Sequence, residues 1–319
     1  MTQNAERPLI GVVGLGLMGR SIATCLLASG HPVAGVTDDI ANSEEIRQRI
    51  KELLEEMQRE GLLKGNPGEI LGRVTVSDRV DSLSGAELVV ESVTEDLDLK
   101  RRLLREVEAV VSPDCILASN TSALPISLLQ AGFTRPQRVM GIHWAEPAHV
   151  TTFLEIIPGP QTEQKYMERA AGWAKLWGKE PSIMRREIRG FITNRIAYAM
   201  FREACHLVES GVCTMEDVDR SLRNDVGWWI PFAGPFRYMD LTGVDAYRRV
   251  MVDLLPDLCN DTSVPKIVED VVRNGGRGIS NGRGFYQYTK EEAEEWERRF
   301  LEFNYRIRKL LAEYSDLRK

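Results

Sequence analysis

Apolar residues come first in short unbroken runs and later at helical spacing, and that change divides the chain. Residues 9–13 form an apolar run that leads into Gly14-Leu15-Gly16-Leu17-Met18-Gly19 and a helix-compatible stretch, residues 20–29; a second run follows at 32–36. Short apolar runs bounded by glycine read as strands buried on both faces, and this strand, glycine turn, helix, strand order predicts a parallel βαβ unit. Asn42 and Glu45 have capping-box spacing, and Ile46, Ile50, Leu53, Leu54 and Met57 then place one apolar stripe along a helix. Gly61, Gly65, Asn66, Pro67 and Gly68 end it. Residues 74–77, 88–92, 116–119 and 139–143 read as further strands separated by helical stretches.

From about residue 187 the pattern becomes long amphipathic helices. Near the end, Trp296, Phe300, Phe303, Ile307, Leu310 and Tyr314 alternate at spacings of four and three, an apolar seam that has to be covered by its own domain or by a second subunit. The expected architecture is α/β: a Rossmann-type doubly wound, mostly parallel sheet over residues 1–187, then an all-α domain over 188–319. A length of 319 residues suits two domains.

Composition changes this picture little but narrows function. No apolar run approaches the ~20 residues that span a bilayer, and the polar start, residues 1–8, lacks a secretory pattern, so a soluble cytoplasmic protein is expected. Cys25, Cys115, Cys205, Cys213 and Cys259 form no C-x-x-C pair and have no histidine at zinc-ligand spacing, which predicts reduced, mostly buried thiols and no metal site. A net charge of −6 with mixed signs argues against nucleic acid as a partner.

The glycine turn carries the first chemistry. Gly14 makes the tight turn, Gly16 lets the backbone approach a pyrophosphate, and Gly19 lets the helix pack on its strand, while Leu17 and Met18 begin the helix whose N-terminus faces the anion. An acid about 20 residues on usually holds the adenosine ribose; Asp38 fits, and no arginine lies near to pair with a 2′-phosphate, so NAD is expected over NADP. Alternatively Asp38 caps the next element.

His143 closes a predicted strand, and strand carboxyl ends face the ligand crevice in doubly wound folds. It can take a proton from an alcohol while hydride leaves, and Glu155 is the carboxylate placed to fix its tautomer. The competing reading is a hydrogen-bonded core histidine. His31 and His206 occupy ordinary positions, and His149 lies in the following loop.

Ser119-Asn120-Thr121-Ser122, Gly141-Ile142-His143 with Pro147, Leu154-Glu155, Gly190-Phe191-Ile192 with Asn194-Arg195, Gly234-Pro235-Phe236 and Gly282-Arg283-Gly284-Phe285-Tyr286 occur in the order of the 3-hydroxyacyl-CoA dehydrogenases. The chain resembles that family over roughly residues 8–288. The resemblance implies that His143 is the base, that Glu155 orients it, and that Ser122 and Asn194 position the substrate oxygen and nicotinamide. It also implies that Glu95, Lys100 and Asn120 lie on the cofactor side and that the helical domain makes a homodimer and completes the substrate cleft. Local alternatives remain: Ser122 as a cap for a helix at Pro125, Asn194 as a helix-start residue, Glu95 and Lys100 as solvated surface.

Departures from the family bear on substrate. His143-Trp144-Ala145-Glu146-Pro147 puts a carboxylate where the family has an amide. Leu53 and Glu60 replace the polar and basic residues of the CoA-contacting helix, where Glu55 and Glu56 also lie. Trp228 and Trp229 add apolar bulk before the Gly234 turn. Trp144, Glu146, Trp228 and Trp229 are therefore the candidate substrate residues, and a small free hydroxy acid is expected ahead of a 3-hydroxyacyl-CoA such as 3-hydroxybutyryl-CoA. Two other readings are a non-catalytic, crystallin-like dinucleotide-binding protein and a 6-phosphogluconate-type dehydrogenase; the latter needs a lysine where this chain has Asn194.

Overall fold

The computed structural model describes residues 7–314, so the start of the chain, residues 1–6, lies outside it. The chain forms two compact units, one ending at Ile192 and one beginning at Thr193.

The first unit is built on eight strands: β1 (Ile10–Val13), β2 (Val33–Val36), β3 (Val74–Ser77), β4 (Leu88–Glu91), β5 (Ile116–Ser119), β6 (Val139–Trp144), β7 (Phe153–Pro158) and β8 (Glu180–Ile183). Their order is β3-β2-β1-β4-β5-β6-β7-β8, and every neighbouring pair is parallel except β6 with β7. Six helices accompany them: α1 (Leu17–Ala28), α2 (Ser43–Arg59), α3 (Pro67–Leu71), α4 (Leu97–Val110), α5 (Ile126–Gln130) and α6 (Gln164–Leu176).

Strand alternation sorts the core into two layers. Ile10, Val12, Leu88, Val90, Ile116, Ala118, Met140, Ile142 and Trp144 join one cluster with α1, α2 and α6, whereas Val13, Val89, Leu117 and Val139 join the other with α4. All five apolar positions of the α2 stripe are buried, as their spacing predicts. The expected capping box is absent: Asn42 stands at the N-terminal boundary of α2, but its amide donates to both carboxylate oxygens of Asp39, at 2.9 and 3.0 Å.

The second unit contains α7 (Thr193–Glu209), α8 (Met215–Asn224), α9 (Val226–Thr242), α10 (Val244–Leu254), α11 (Lys266–Arg273) and α12 (Lys290–Glu313). Gly234, at φ +67°, breaks α9 into two halves, and Pro231 and Pro235 flank the break. Thr214 with Asp217 and Thr289 with Glu292 form capping boxes on α8 and α12. Among the described residues of the α12 seam, Trp296, Phe300, Phe303, Leu310 and Tyr314 are exposed and Ile307 is half-buried. The cysteines depart from expectation too. Cys25 and Cys115 are buried, the Cys115 thiol being pushed by burial up to about 12, but Cys205, Cys213 and Cys259 are only half-buried; all five are free.

Candidate active site

The turn after β1 is shaped for a dinucleotide. Gly14 has φ +89°, and a Cβ there would lie 2.8 Å from the Ser92 carbonyl; a Cβ on Gly19 would strike the Gly14 carbonyl. Both sites therefore admit only glycine. Gly16 differs: a Cβ would meet nothing within 4 Å, so its backbone faces open space at the mouth of α1, where the helix begins without a side-chain cap. Unfilled N–H groups beside such a cradle suit a pyrophosphate. Leu17 is exposed at this mouth, and Met18 packs against the core. Asp38 lies exposed just beyond the end of β2, following the buried Thr37.

Next along the sheet, the ends of β4 and β5 are cross-linked by buried polar groups. Glu91, fully buried, accepts from the Lys100 ammonium at 2.7 Å, the Ser119 hydroxyl at 2.6 Å and the Val93 amide at 2.7 Å. Lys100 is equally buried and also meets Glu95 at 3.2 Å. It is neither solvated surface nor exposed toward a cofactor. Glu95 accepts from the Thr121 hydroxyl and from the amides of Ser122 and Ala123. Burial raises its carboxyl, but the Thr121 hydrogen bond and the Lys100 charge outweigh that and hold it below its ordinary value. Glu95 thus shapes the loop that carries Ser122, and the residue at the N-terminal boundary of α5 is Pro125. Asn120 accepts from the Trp144 amide at 2.9 Å and donates to the Ser92 hydroxyl at 3.1 Å, tying three strand ends together.

His143 and Glu155 meet as expected. The Nδ1 of His143 lies 2.9 Å from Glu155 Oε2, and the other carboxylate oxygen accepts from the Ile192 amide at 3.1 Å. Phe153 and Phe191 wall the imidazole, with ring centroids 5.4 and 5.6 Å away. With Nδ1–H directed to a buried carboxylate, Nε2 keeps its lone pair. Trp144, expected at the substrate, faces the opposite side of the sheet because strand residues alternate; it is buried and stacks on Trp177. Glu146 is solvent-accessible, yet burial by its surroundings raises its carboxyl above the ordinary value against the pull of Arg49.

The glutamates of α2 are locally engaged: Glu52 pairs with Arg49 at 2.9 Å, Glu55 with Lys51 at 3.7 Å, and Glu56 approaches His149 Nε2 at 3.7 Å. Leu53 is buried. The Lys51 ammonium partly offsets the charge of Glu55.

In the second unit, Asn194 lies in the first turn of α7, two residues along the chain from Ile192. Trp228 is 80% exposed, whereas Trp229 stacks on Tyr238 at 4.2 Å. Sequence reasoning missed Glu91, Ser119, Ser21, His149 and Lys179. For Glu91 the signal was there, a carboxylate closing an apolar strand; for the others it is visible only in space.

Residues 9–188 match the 3-hydroxyacyl-CoA dehydrogenase NAD-binding domain, and residues 190–288 match the C-terminal domain of the same enzymes. The chain belongs to the 3-hydroxyacyl-CoA dehydrogenase family. It is an NAD-dependent dehydrogenase acting on a hydroxyl group. Among family relatives, it is 33% identical over 286 residues to the 5-formyl-3-hydroxy-2-methylpyridine 4-carboxylate 5-dehydrogenase of Mesorhizobium japonicum, covering 89% of this chain and 92% of that one. A solved dehydrogenase of that activity, described as an NAD+-dependent dismutase, superposes with a TM-score of 0.89 at 30% identity, covering 96% of this chain and 98% of its own. The (S)-3-hydroxybutyryl-CoA dehydrogenase of Ralstonia eutropha gives 0.73 at 28% identity, covering 88% of this chain and 99% of its own. Among the described residues, no helix is long and apolar enough to cross a membrane.

Proposed function

We propose that this dehydrogenase oxidises the hydroxyl of a small free acid, with His143 as the base. The observation that carries the chemistry is the His143–Glu155 pair, 2.9 Å apart with Glu155 buried. Nε2 receives the hydroxyl proton; Glu155 holds the reactive tautomer and balances the imidazolium that forms. Gly14, Gly16, Leu17, Met18, Gly19 and Asp38 would hold NAD, which when bound would supply the hydride acceptor. Ser122, presented by Glu95, and Asn194 steady the substrate oxygen and the nicotinamide. Asn120 and Lys100 act through the strand ends they lock. A pair this well formed weighs against a merely structural, crystallin-like role.

The substrate reading is supported by likeness over the whole chain. The pyridine carboxylate dehydrogenase superposes with a TM-score of 0.89 over 96% of it, whereas the CoA enzymes reach 0.73 over 88% and 0.66 over 97%. A hydrated formyl group presents the same CH–OH as an alcohol, so one site serves either. Glu146, beside the base in sequence, and the Trp228–Trp229 wall are the specificity elements. Side-by-side kcat/KM for 5-formyl-3-hydroxy-2-methylpyridine-4-carboxylate, 3-hydroxybutyrate and (S)-3-hydroxybutyryl-CoA tests this. Higher values for the free acids are expected; efficient turnover of the thioester alone returns the chain to the family's parent activity.

We infer further that the helical unit makes a homodimer. Phe236 and, on α12, Trp296, Phe300 and Phe303 are exposed apolar side chains of the kind a second copy of the chain would cover. Light scattering should give twice the chain mass. The five free thiols suit the reducing cytoplasm.

A further inference from the structure

A second histidine cluster lies behind the first. Ser21 of α1 and His149 of the loop between β6 and β7 are both almost fully buried, and the serine hydroxyl lies 2.8 Å from His149 Nδ1. The same oxygen accepts from the His149 amide at 3.2 Å. His149 Nε2 points at Glu56 of α2, 3.7 Å away. Serine, histidine and glutamate in this order resemble a nucleophilic triad, but Ser21 is 1% exposed and no substrate reaches it. The cluster therefore holds rather than reacts.

The surroundings of the imidazole favour one tautomer. Thr24 and Ser29, also in this segment, return their hydroxyl protons to carbonyls four residues back, Arg20 and Cys25, each at 2.8 Å. Ser21 reaches instead across 128 residues of sequence. A bare Nε2 lone pair would face the Glu56 carboxylate, 3.7 Å away, with like sign; placing the imidazole proton on Nε2 avoids that and leaves Nδ1 to accept from the Ser21 hydroxyl. The loop is gripped again from β8's side: buried Lys179 donates to the carbonyls of Ala148 and Thr151 and sits over the Trp144 ring at 5.0 Å.

We propose that His149 is a positioning residue that ties the dinucleotide-binding helix directly to the loop behind the base. The need is geometric. Strands β1, which leads into α1, and β6, which carries His143, are separated by β4 and β5, three spacings of roughly 4.8 Å. The Ser21–His149 bond spans that gap and sets where the base stands relative to the cofactor. This rests on the reading of His143 as base.

The test uses Ser21→Ala, His149→Ala, His149→Asn and the Ser21→Ala/His149→Ala double variant, assayed with 5-formyl-3-hydroxy-2-methylpyridine-4-carboxylate and (S)-3-hydroxybutyryl-CoA. Misplacing reacting groups by about 1 Å costs up to about 100-fold, so kcat should fall about ten-fold or more in both single alanine variants while NADH affinity and KM stay within about two-fold. The double variant should be no worse than either single one. Asparagine, whose carbonyl can still accept from Ser21, should recover most of the loss. Independently of turnover, imidazole 15N spectra should show His149 protonated on Nε2, and that signature should be lost in Ser21→Ala. Unchanged kcat in Ser21→Ala, or an Nδ1-protonated His149 in the parent protein, overturns the proposal. Failure of the base assignment reads out separately, as retained turnover in His143→Ala.

Discussion

Glu155 stands directly across the antiparallel ladder from His143, in the same register pair of β6 and β7. Their contact is therefore set by backbone pairing, and a one-residue slip of either strand would turn one partner to the other face of the sheet. The reversal of strand direction between β6 and β7 is what brings the carboxylate opposite the base.

His143→Ala should lower kcat by about 100- to 10,000-fold, the usual contribution of a general base, while leaving NADH binding intact. Glu155→Gln should lose less, because an amide oxygen can still accept from Nδ1–H. Steady-state kinetics with fluorescence titration of NADH checks both, and near-normal turnover of His143→Ala would sink the mechanism.

NADH should bind more tightly than NADPH, roughly ten-fold or more, because Asp38 would face the added 2′-phosphate with a like charge. Asp38→Ala should narrow that difference. Equal affinities in the parent protein would remove Asp38 from the cofactor site.

Lys100→Met should destabilise the first unit by about 3 kcal/mol, since it strands the buried Glu91 carboxylate without its counter-charge. Adding Glu91→Gln should return part of that loss. Urea unfolding of the single and double variants measures the difference, and a larger loss in the double variant contradicts the pairing.

Acid should weaken the fold through His31. Its Nδ1 lies 2.9 Å from the Pro8 carbonyl, and its Nε2 accepts from the Trp177 indole at 3.1 Å, so both nitrogens are engaged only in the neutral ring. Burial holds its pKa below the ordinary 6.5, partly opposed by the Pro8 hydrogen bond. The unfolded chain takes up this proton first, so the stabilisation is complete above about pH 6.5 and declines as pH falls through that value toward the folded pKa. The melting temperature should drop more between pH 7.5 and 5.5 in the parent protein than in His31→Asn. Equal drops would clear His31 of the effect.

Much of this was legible in the chain because parallel strands buried on both faces leave short apolar runs bounded by turn residues: β1, β2, β4, β5 and β6 all carry them. The glycine turn, His143 and Glu155 followed from it. β7 was not legible as a strand, because the buried Glu155 interrupts its apolar run, nor was β8, a short edge strand with exposed residues. Trp144 was misplaced because a motif records neighbours in sequence, whereas a strand sends them to opposite faces. Ser21 and His149 meet across 128 residues, a distance at which no local pattern survives.

The loops leaving β1, β4, β5 and β6 all emerge along one edge of the sheet, from four strands that are neighbours in space. Chemistry and scaffold are for that reason divided along the length of each strand. Of residues 145–152, Ala145, Glu146, Thr151 and Thr152 lie outside the buried layers, whereas 147–150 are buried. Substitutions at the four accessible positions can alter the loop beside the base without entering the core, which gives this architecture room to acquire new substrates without refolding.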